Sequence, residues 1–560
     1  MSTPPSADLP VVISQLDSSP VEDERLPLGS PPCPEHAPTA RSRHWVLSGL
    51  QYRRLVHIVA FICISVGVLM RIVHFGSIPG GLNQDEASIG YDAWCLAHFG
   101  TEGNGVPWPV HLISWGNGGN ASYAYMAIPF VAVGLSPFTL RLPMLIASLA
   151  SLFLVWFVMR RLFDERAAWA SAAVVALSPW HIMLSRWALD CNALPFLFLC
   201  GLALLIVSLQ SNRKFGWLIL ASVMFGVSVY SYGPAYLAVP IFVLGALTIC
   251  ATGGLLSRWQ AIIAAVIFAV TSLPIALYIF VNFFHWSSIH LAGITVPRLP
   301  TTPRFQTETI AGPFHNLGEL FRFLITQQDG KIYNAIAPYG VVYSGAFLVL
   351  AIGLVAAIPV LVVRRQWPLV RLFIPLWIVA CIPTGIFQEP NINRLNLLIM
   401  GLISLVGVAL AIVDKRVRGI LIAGLVAPLI LSGFFARDYF TFEGDQIAVE
   451  FFDGLLPALA NARGTTPEGG KICVTDQINM PQIYALFNSP TDSSEYIRTV
   501  KYINPEGPFR KVASYRNYTF GLQRCDFEKT SVVVAHMGEA IPTSFVKSRT
   551  FSLFDVYTRR

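Results

Sequence analysis

In the stretch GGLNQDEASIGYDAW, Gly80 to Trp94, two carboxylates stand side by side, Asp85 and Glu86, with no Lys or Arg in the segment. A carboxylate held against a reacting hydroxyl takes its proton, and two adjacent ones can hold Mg2+ or Mn2+. Asp92 follows seven residues after Asp85, on the same face of a helix, and is the rival acid. The same residues also suit a plain helix start, with Asn83 or Asp85 as N-cap and the acids favouring the dipole. The two readings are compatible.

Other polar residues recur beside apolar runs. SPFTLRLPM carries Arg141; SPWHIMLSRWALDCN carries His181, Arg186 and Asp190; YSYGPAY carries Tyr230, Tyr232 and Tyr236; QEPNINRLNLL carries Glu389, Asn391, Asn393 and Arg394. Each has a bland reading. Arg141 could snorkel to lipid headgroups, Arg186 and Asp190 could pair at i,i+4, and the tyrosines could form an aromatic belt. His181 reads as a structural polar group. GNGGN, Gly116–Asn120, is a loop and not a phosphate-binding one, because no GK[ST] follows and no strand precedes it.

The elements that must position these residues are membrane-spanning helices. The chain has 560 residues, 54% hydrophobic and only 13% charged, with mean hydropathy +0.58, whereas soluble domains carry about 25% charged residues. Its apolar runs have the roughly 20-residue length that crosses a bilayer, which excludes a barrel of short alternating strands. About eleven spans are expected, over 55–74, 139–159, 167–183, 193–210, 215–232, 234–251, 260–281, 339–363, 369–387, 395–413 and 419–436. Basic residues fall on every second junction: Arg53-Arg54, Arg160-Arg161, Arg213-Lys214, Arg258, Arg364-Arg365 and Lys415-Arg416. Positive-inside reasoning puts the N-terminus in the cytoplasm and the other junctions outside. The net charge of +7 is thereby topogenic and not a nucleic-acid footprint.

Residues 1–45, rich in Pro, Ser and acids, read as a disordered cytoplasmic tail rather than a signal peptide, with the first span an uncleaved anchor. Residues 46–436 form the transmembrane module, with outer loops 75–138 and 282–338. The first loop holds an apolar stretch, Tyr123–Val133, fit for an interfacial helix, and the second a helix at Leu317–Thr326. Residues 437–560 read as a small mixed α/β extracytoplasmic domain. Its strands are KICVTD (Lys471–Asp476), TSVVVAHM (Thr530–Met537) and FSLFDVYTR, and MPQIYALF is its helix. Of nine cysteines, Cys95 with Cys191, or Cys473 with Cys525, could bridge in an oxidising compartment.

Arginines on the outer face run against the positive-inside trend and ask for an anionic partner, which a lipid-linked phosphate supplies. If that phosphate carries a sugar, a carboxylate must deprotonate the acceptor hydroxyl and cationic groups must stabilise the departing phosphate. The early DE in a first outer loop, the RLP opening the next span and the SP…SR…D loop resemble the GT-C superfamily of membrane glycosyltransferases. The resemblance is to its polyprenyl- or dolichyl-phosphate-sugar-dependent branch, with the protein O-mannosyltransferases and the lipid A aminoarabinose transferase. It covers residues 50–440 and is strongest over 80–200.

The resemblance implies an inverting transferase with its catalytic Asp at Asp85, and lipid-phosphate contacts from Tyr232 and Arg394. One departure is plain: the aminoarabinose transferase has a lysine before its interfacial helix, and WGNGGNASYAY has none. The expected machinery is Asp85 as base, Glu86 supporting it by hydrogen bonding or through a divalent cation, and Asp92, Arg141, Arg186, Asp190, Tyr232 and Arg394 binding substrate. The expected partners are a polyprenyl-phosphate sugar, a glycan, lipid or protein acceptor and membrane lipid, with no nucleic acid, at the plasma membrane. A transporter or flippase of lipid-linked glycans would instead place its ionisable residues mid-membrane. A non-catalytic assembly subunit is the third class, against which the Asp85-Glu86 pair argues.

Overall fold

The computed structural model describes residues 49–302, 312–363, 369–507 and 509–560. The expected tail, 1–45, lies outside the described residues. Nine helices among them are long and apolar enough to cross a membrane, and the chain is an integral membrane protein.

The first span is α1, Gly49–Ile72. It is followed by α2, Gln84–Phe99, and the short α3, Ser122–Val131. Then come α4 (Pro137–Leu162), α5 (Glu165–Leu177), α6 (Pro179–Leu184), α7 (Asp190–Gln210), α8 (Lys214–Ser228), α9 (Ala235–Thr252) and α10 (Arg258–Phe283). The remaining long apolar helices are Leu369–Phe387, Ile392–Asp414 and Ile420–Tyr439. These nine coincide with nine of the expected spans. In their most apolar windows, α7 and Ile392–Asp414 are 72% and 78% buried and form the centre of the bundle; α10 and Ile420–Tyr439 are 22% buried. The latter two turn side chains such as Val270 and Phe434 outward, as a lipid-facing helix does.

The other two expected spans take different forms. The one over 339–363 is the helix Ala346–Val363. The one over 167–183 divides into α5, 13 residues long, and α6. Pro179 lacks the N–H that would continue the helix, and Ser178 Oγ instead accepts from His181 N at 3.3 Å. α5 is enclosed by close neighbours: a Cβ on Gly67 would lie 2.3 Å from Ala176 O, and one on Gly407 2.3 Å from Ser171 N. Small residues at these crossings let backbones approach within a membrane.

The loops 75–138 and 282–338 carry more structure than their composition suggests. β1 (His111–Leu112) pairs with β2 (Gly119–Asn120), and β3 (Ile289–Leu291) forms a hairpin with β4 (Ile294–Val296). Val110 N donates to Thr295 O at 2.9 Å, which ties the first loop to the second. The expected helices appear as α3 and as Pro313–Thr326.

The C-terminal region folds on a seven-stranded mixed sheet. Its strands are β5 (Lys471–Val474), β6 (Lys501–Tyr502), β7 (Val512–Tyr515), β8 (Tyr518–Phe520), β9 (Thr530–His536), β10 (Phe545–Phe551) and β11 (Phe554–Arg559). The order is β10-β11-β9-β5-β8-β7-β6, with β5 parallel to both β8 and β9. FSLFDVYTR is not one strand: the chain turns at Ser552, where φ is +47°. The helix Pro481–Asn488 packs on α2, and Tyr484 Oη donates to Leu82 O at 3.0 Å. Cys473 and Cys525 are disulfide-bonded. Cys95 and Cys191 are not; both are buried free thiols, the first held against Thr491 O and the second against Asn192 Oδ1.

Candidate active site

The segment leading into α2 is clamped before the first acid is reached. Gly81 has φ +70°, and a Cβ there would lie 2.3 Å from Phe451 O; Leu82 N donates to that same carbonyl at 2.7 Å. Asn83 then caps α2, its Oδ1 accepting from Asp85 N at 2.9 Å while its own N–H donates to Glu86 Oε2 at 3.2 Å. This reciprocal cap fixes Asp85 and Glu86 on different faces of the first turn.

Glu86 turns inward. Its Oε1 accepts from Arg141 Nε at 2.9 Å and Ala188 N at 2.8 Å, and its Oε2 from Arg141 Nη2 at 2.9 Å. Both side chains are 0% exposed. Arg141 also donates to Pro79 O and Gly81 O. Glu86 is therefore turned away from Asp85, and the Arg141 guanidinium is engaged by Glu86 and two backbone carbonyls. The adjacent acid pair does not fit a divalent cation, because Glu86 has both oxygens engaged by Arg141 and backbone amides.

Arg186 is likewise withdrawn. Its guanidinium donates to Met70 O, Arg71 O, His74 O and Ile78 O at 2.7–3.0 Å, and the residue is fully buried. It satisfies the orphan carbonyls at the C-terminal end of α1 instead of a phosphate. The i,i+4 pairing with Asp190 is not formed. His181 is structural: its Nδ1 lies 2.7 Å from Arg71 Nη2, and it is buried.

The remaining residues meet on one open cleft. Asp85, Asp190, Tyr232 and Asn393 line a cavity of about 530 Å³. Tyr232, Tyr236, Tyr278, His111 and Arg394 line an adjoining one of about 600 Å³. Gly119, Asn120 and Tyr232 line both, so the two cavities adjoin along that wall. Asp85, Asp190, Tyr232 and Arg394 are all half-buried. Asp190 opens α7, its Oδ2 accepting from Asn120 Nδ2 at 2.8 Å. Asn120 Oδ1 in turn accepts from Tyr236 Oη at 3.0 Å. Arg394 lies one turn into the helix capped by Asn391, with Nη1 on Glu389 O at 2.9 Å.

Asp92 sits about two turns after Asp85 on α2 and is 2% exposed. Its Oδ1 accepts from Gly103 N at 2.9 Å. Burial, and then the neighbouring Glu102, hold its carboxyl well above the usual carboxylate range. Burial also pushes Glu102 up to about 7, against the hydrogen bonds it accepts from Asn104 and Val106. Asp92 lines a separate cavity against the C-terminal domain.

Two site residues come from a segment that reads as plain loop, Asn117 and Asn120. Asn117 is 2% exposed, lines the Arg394 end of the cleft, and neither its Oδ1 nor its Nδ2 makes a hydrogen bond. Nothing in a glycine-rich run has a periodicity that marks such residues. Among the described residues, no group of three or more His, Cys, Asp or Glu is placed to hold a metal ion.

Residues 122–278 match the family model described as dolichyl-phosphate-mannose-protein mannosyltransferase. That match covers less than a third of the chain. Among solved structures, it is similar to ArnT from Cupriavidus metallidurans in the apo state, with TM-score 0.54 and 15% identity over 89% of this chain and 97% of that one. The same protein bound to undecaprenyl phosphate matches with TM-score 0.52 and 14% identity, over 91% and 98%. These likenesses show the GT-C fold. No curated protein sequence matches the chain. The family match includes Arg141, Arg186, Asp190 and Tyr232 but neither Asp85 nor Arg394, whose placement rests on the cleft itself.

Proposed function

We propose that this protein is a GT-C glycosyltransferase that moves a sugar from a polyprenyl-phosphate donor to a hydroxyl-bearing acceptor on the non-cytoplasmic side of the plasma membrane, with inversion at the anomeric carbon. The observation that carries the reading is the pair of adjoining cavities, one lined by Asp85 and Asp190 and the other by Arg394, with Tyr232 on both. A similar structure, ArnT, holds undecaprenyl phosphate, which supports a lipid phosphate as the anionic group at the Arg394 end. There Arg394 and Tyr232 contact the phosphate, with Asn117 supplying a neutral donor near where related loops carry lysine.

The acceptor oxygen attacks the anomeric carbon from the face opposite the phosphate. The new C–O bond forms as the bond to the phosphate oxygen breaks. Asp85 accepts the hydroxyl proton, and Arg394 stabilises the charge gathering on the departing polyprenyl phosphate. Asp190, held by Asn120, orients the sugar or the acceptor beside Asp85. Glu86 and Arg141 act through structure, by holding the start of α2. No step is assigned to a cation.

The testing experiment is transfer by purified full-length protein from a panel of radiolabelled polyprenyl-phosphate sugars into membrane extracts. Transfer that is lost in Asp85→Asn and retained in Asp92→Asn supports the reading. Transfer lost only in Asp92→Asn moves the base. Donor carried between leaflets with no transfer makes the protein a transporter.

A further inference from the structure

Asn120 stands where the β1–β2 hairpin meets two helices. Its backbone pairs with His111, whose ring stacks on Tyr278 of α10 with centroids 4.0 Å apart and planes 11° from parallel. Its side chain bridges the helices. Nδ2 donates to Asp190 Oδ2 at 2.8 Å, at the start of α7, and Oδ1 accepts from Tyr236 Oη at 3.0 Å, in the first turn of α9. Asp190 lines the cavity that holds Asp85, Tyr236 lines the one that holds Arg394, and Asn120 lines both. The two hydrogen bonds thus join the walls of the two cavities.

The direction of each bond follows from the groups it joins. An ionised carboxylate only accepts, and a primary amide has one donor end and one acceptor end. With Nδ2 turned to an ionised Asp190, Oδ1 faces Tyr236, and the hydroxyl has to donate. Turned end for end, the amide would set its oxygen against the carboxylate and lose a charge-assisted bond. The Tyr236 proton therefore favours the amide orientation that suits a charged Asp190. Asp190 Oδ1 accepts from Cys191 N at 2.8 Å, so both carboxylate oxygens are held. The same tyrosine proton is then not available to a ligand. Tyr236 Oη offers the Arg394 cavity lone pairs and no donor, which suits a phosphate oxygen poorly.

We propose that Tyr236 is a positioning residue for transfer: through the Asn120 amide it orients the Asp190 carboxylate beside Asp85, and it does not bind the donor phosphate. The inference rests on the reading of the protein as a transferase in which Asp190 orients a substrate. It goes beyond that reading by assigning to the acids a residue that lines the Arg394 cavity.

The experiment is a double-mutant cycle on full-length protein in detergent, with Tyr236→Phe, Asn120→Ala and the two combined. Tyr236→Phe keeps the ring and removes only the hydroxyl. In transfer from the polyprenyl-phosphate sugar that wild type uses, it lowers kcat by about 5-fold and leaves the donor KM unchanged. In the Asn120→Ala background it has no further effect, because the group it acts through is gone. A selective rise in donor KM, or two effects that multiply, overturns the proposal. Thermal unfolding of the same four proteins reads the bond without a donor: Tyr236→Phe lowers the melting temperature of wild type and not that of Asn120→Ala. Independent shifts overturn the proposal whatever the transfer assay gives. If the cycle is coupled but Asp85→Asn retains transfer, the base assignment fails while that of Tyr236 stands. No transfer by wild type from any donor removes the transferase reading and this inference with it.

Discussion

Arg141 grips Glu86 with two hydrogen bonds of 2.9 Å, Nε to Oε1 and Nη2 to Oε2, and neither side chain is exposed. The pair joins α4 to the first turn of α2 and, through Ala188 N, to the loop that precedes Asp190. It thereby sets the spacing of the two cleft acids while touching nothing in the cleft. Removing one partner strands a buried charge, which costs about 3–5 kcal/mol. Glu86→Gln and Arg141→Ala are therefore expected to lower thermal stability in detergent strongly, and activity with it. Asp85→Asn, one residue away, should leave the melting temperature near that of wild type. Equal melting temperatures for Glu86→Gln and wild type would contradict this division.

Asp85 and Asp190 carry the opposite expectation. Each lines the open cleft and is half-buried, so each amide variant should fold normally. Loss of a positioned general base slows the chemical step by about 10²–10⁴-fold, and Asp85→Asn is expected in that range in single-turnover transfer. Asn120→Ala releases Asp190 from its 2.8 Å hydrogen bond and should cost less than Asp190→Asn itself. A larger loss for Asn120→Ala would show that Asn120 meets substrate directly.

The arginines test the proposed phosphate contact against helix capping. Arg394 lines the cleft, whereas Arg186 spends its guanidinium on carbonyls at the end of α1. A hydrogen bond to a charged group contributes about 1.5–3 kcal/mol, so Arg394→Ala should raise the KM for the lipid-phosphate donor by roughly 10-fold or more while the protein still folds. Arg186→Ala should destabilise the protein without a selective effect on donor KM. The two are compared by donor titration alongside thermal unfolding; a donor-selective defect in Arg186→Ala would reverse the assignment.

Cys473 and Cys525 close a loop of 52 residues across the C-terminal sheet. A cross-link of this kind contributes about 2–4 kcal/mol. Its loss in the Cys473→Ala, Cys525→Ala double variant should lower the unfolding transition of the C-terminal region. Cys95 and Cys191 are buried free thiols, so non-reducing thiol labelling of denatured wild type should find them reactive and Cys473 and Cys525 protected.

Much of this arrangement was legible from residue order. Apolar run length marks the spans because each must fill the bilayer, and Asp85, Asp190, Tyr232 and Arg394 stood out as polar residues beside such runs. What local pattern could not reveal was which of these arginines line the cleft and which are enclosed by the protein. Arg141 and Arg186 did need electron-rich partners, but the protein supplies them: Glu86 lies 55 residues away, and Met70 O is 116 residues from Arg186. Asn117 and Asn120 were hidden in a glycine-rich run without period. The packing of the C-terminal region on α2, where Tyr91 Oη reaches Thr491 O across 400 residues, has no local signal either.

Asp92 and Glu102 make stability depend on pH. Burial raises both carboxyl groups, Glu102 from 4.5 to about 7 and Asp92 well above 3.8. The charges facing Glu102 are those of Asp92 on α2 and Arg510 from the C-terminal domain. With the folded pKa above the unfolded one, the folded state holds more protons between the two values, and stability falls as pH rises. The contribution is fully present below pH 4.5 and is lost as pH passes through about 7. The melting temperature, followed from pH 5 to 8, should therefore decline on account of this pair. Glu102→Gln, which cannot ionise, should flatten that part of the profile, and the same slope in both proteins would show that Glu102 is ionised throughout.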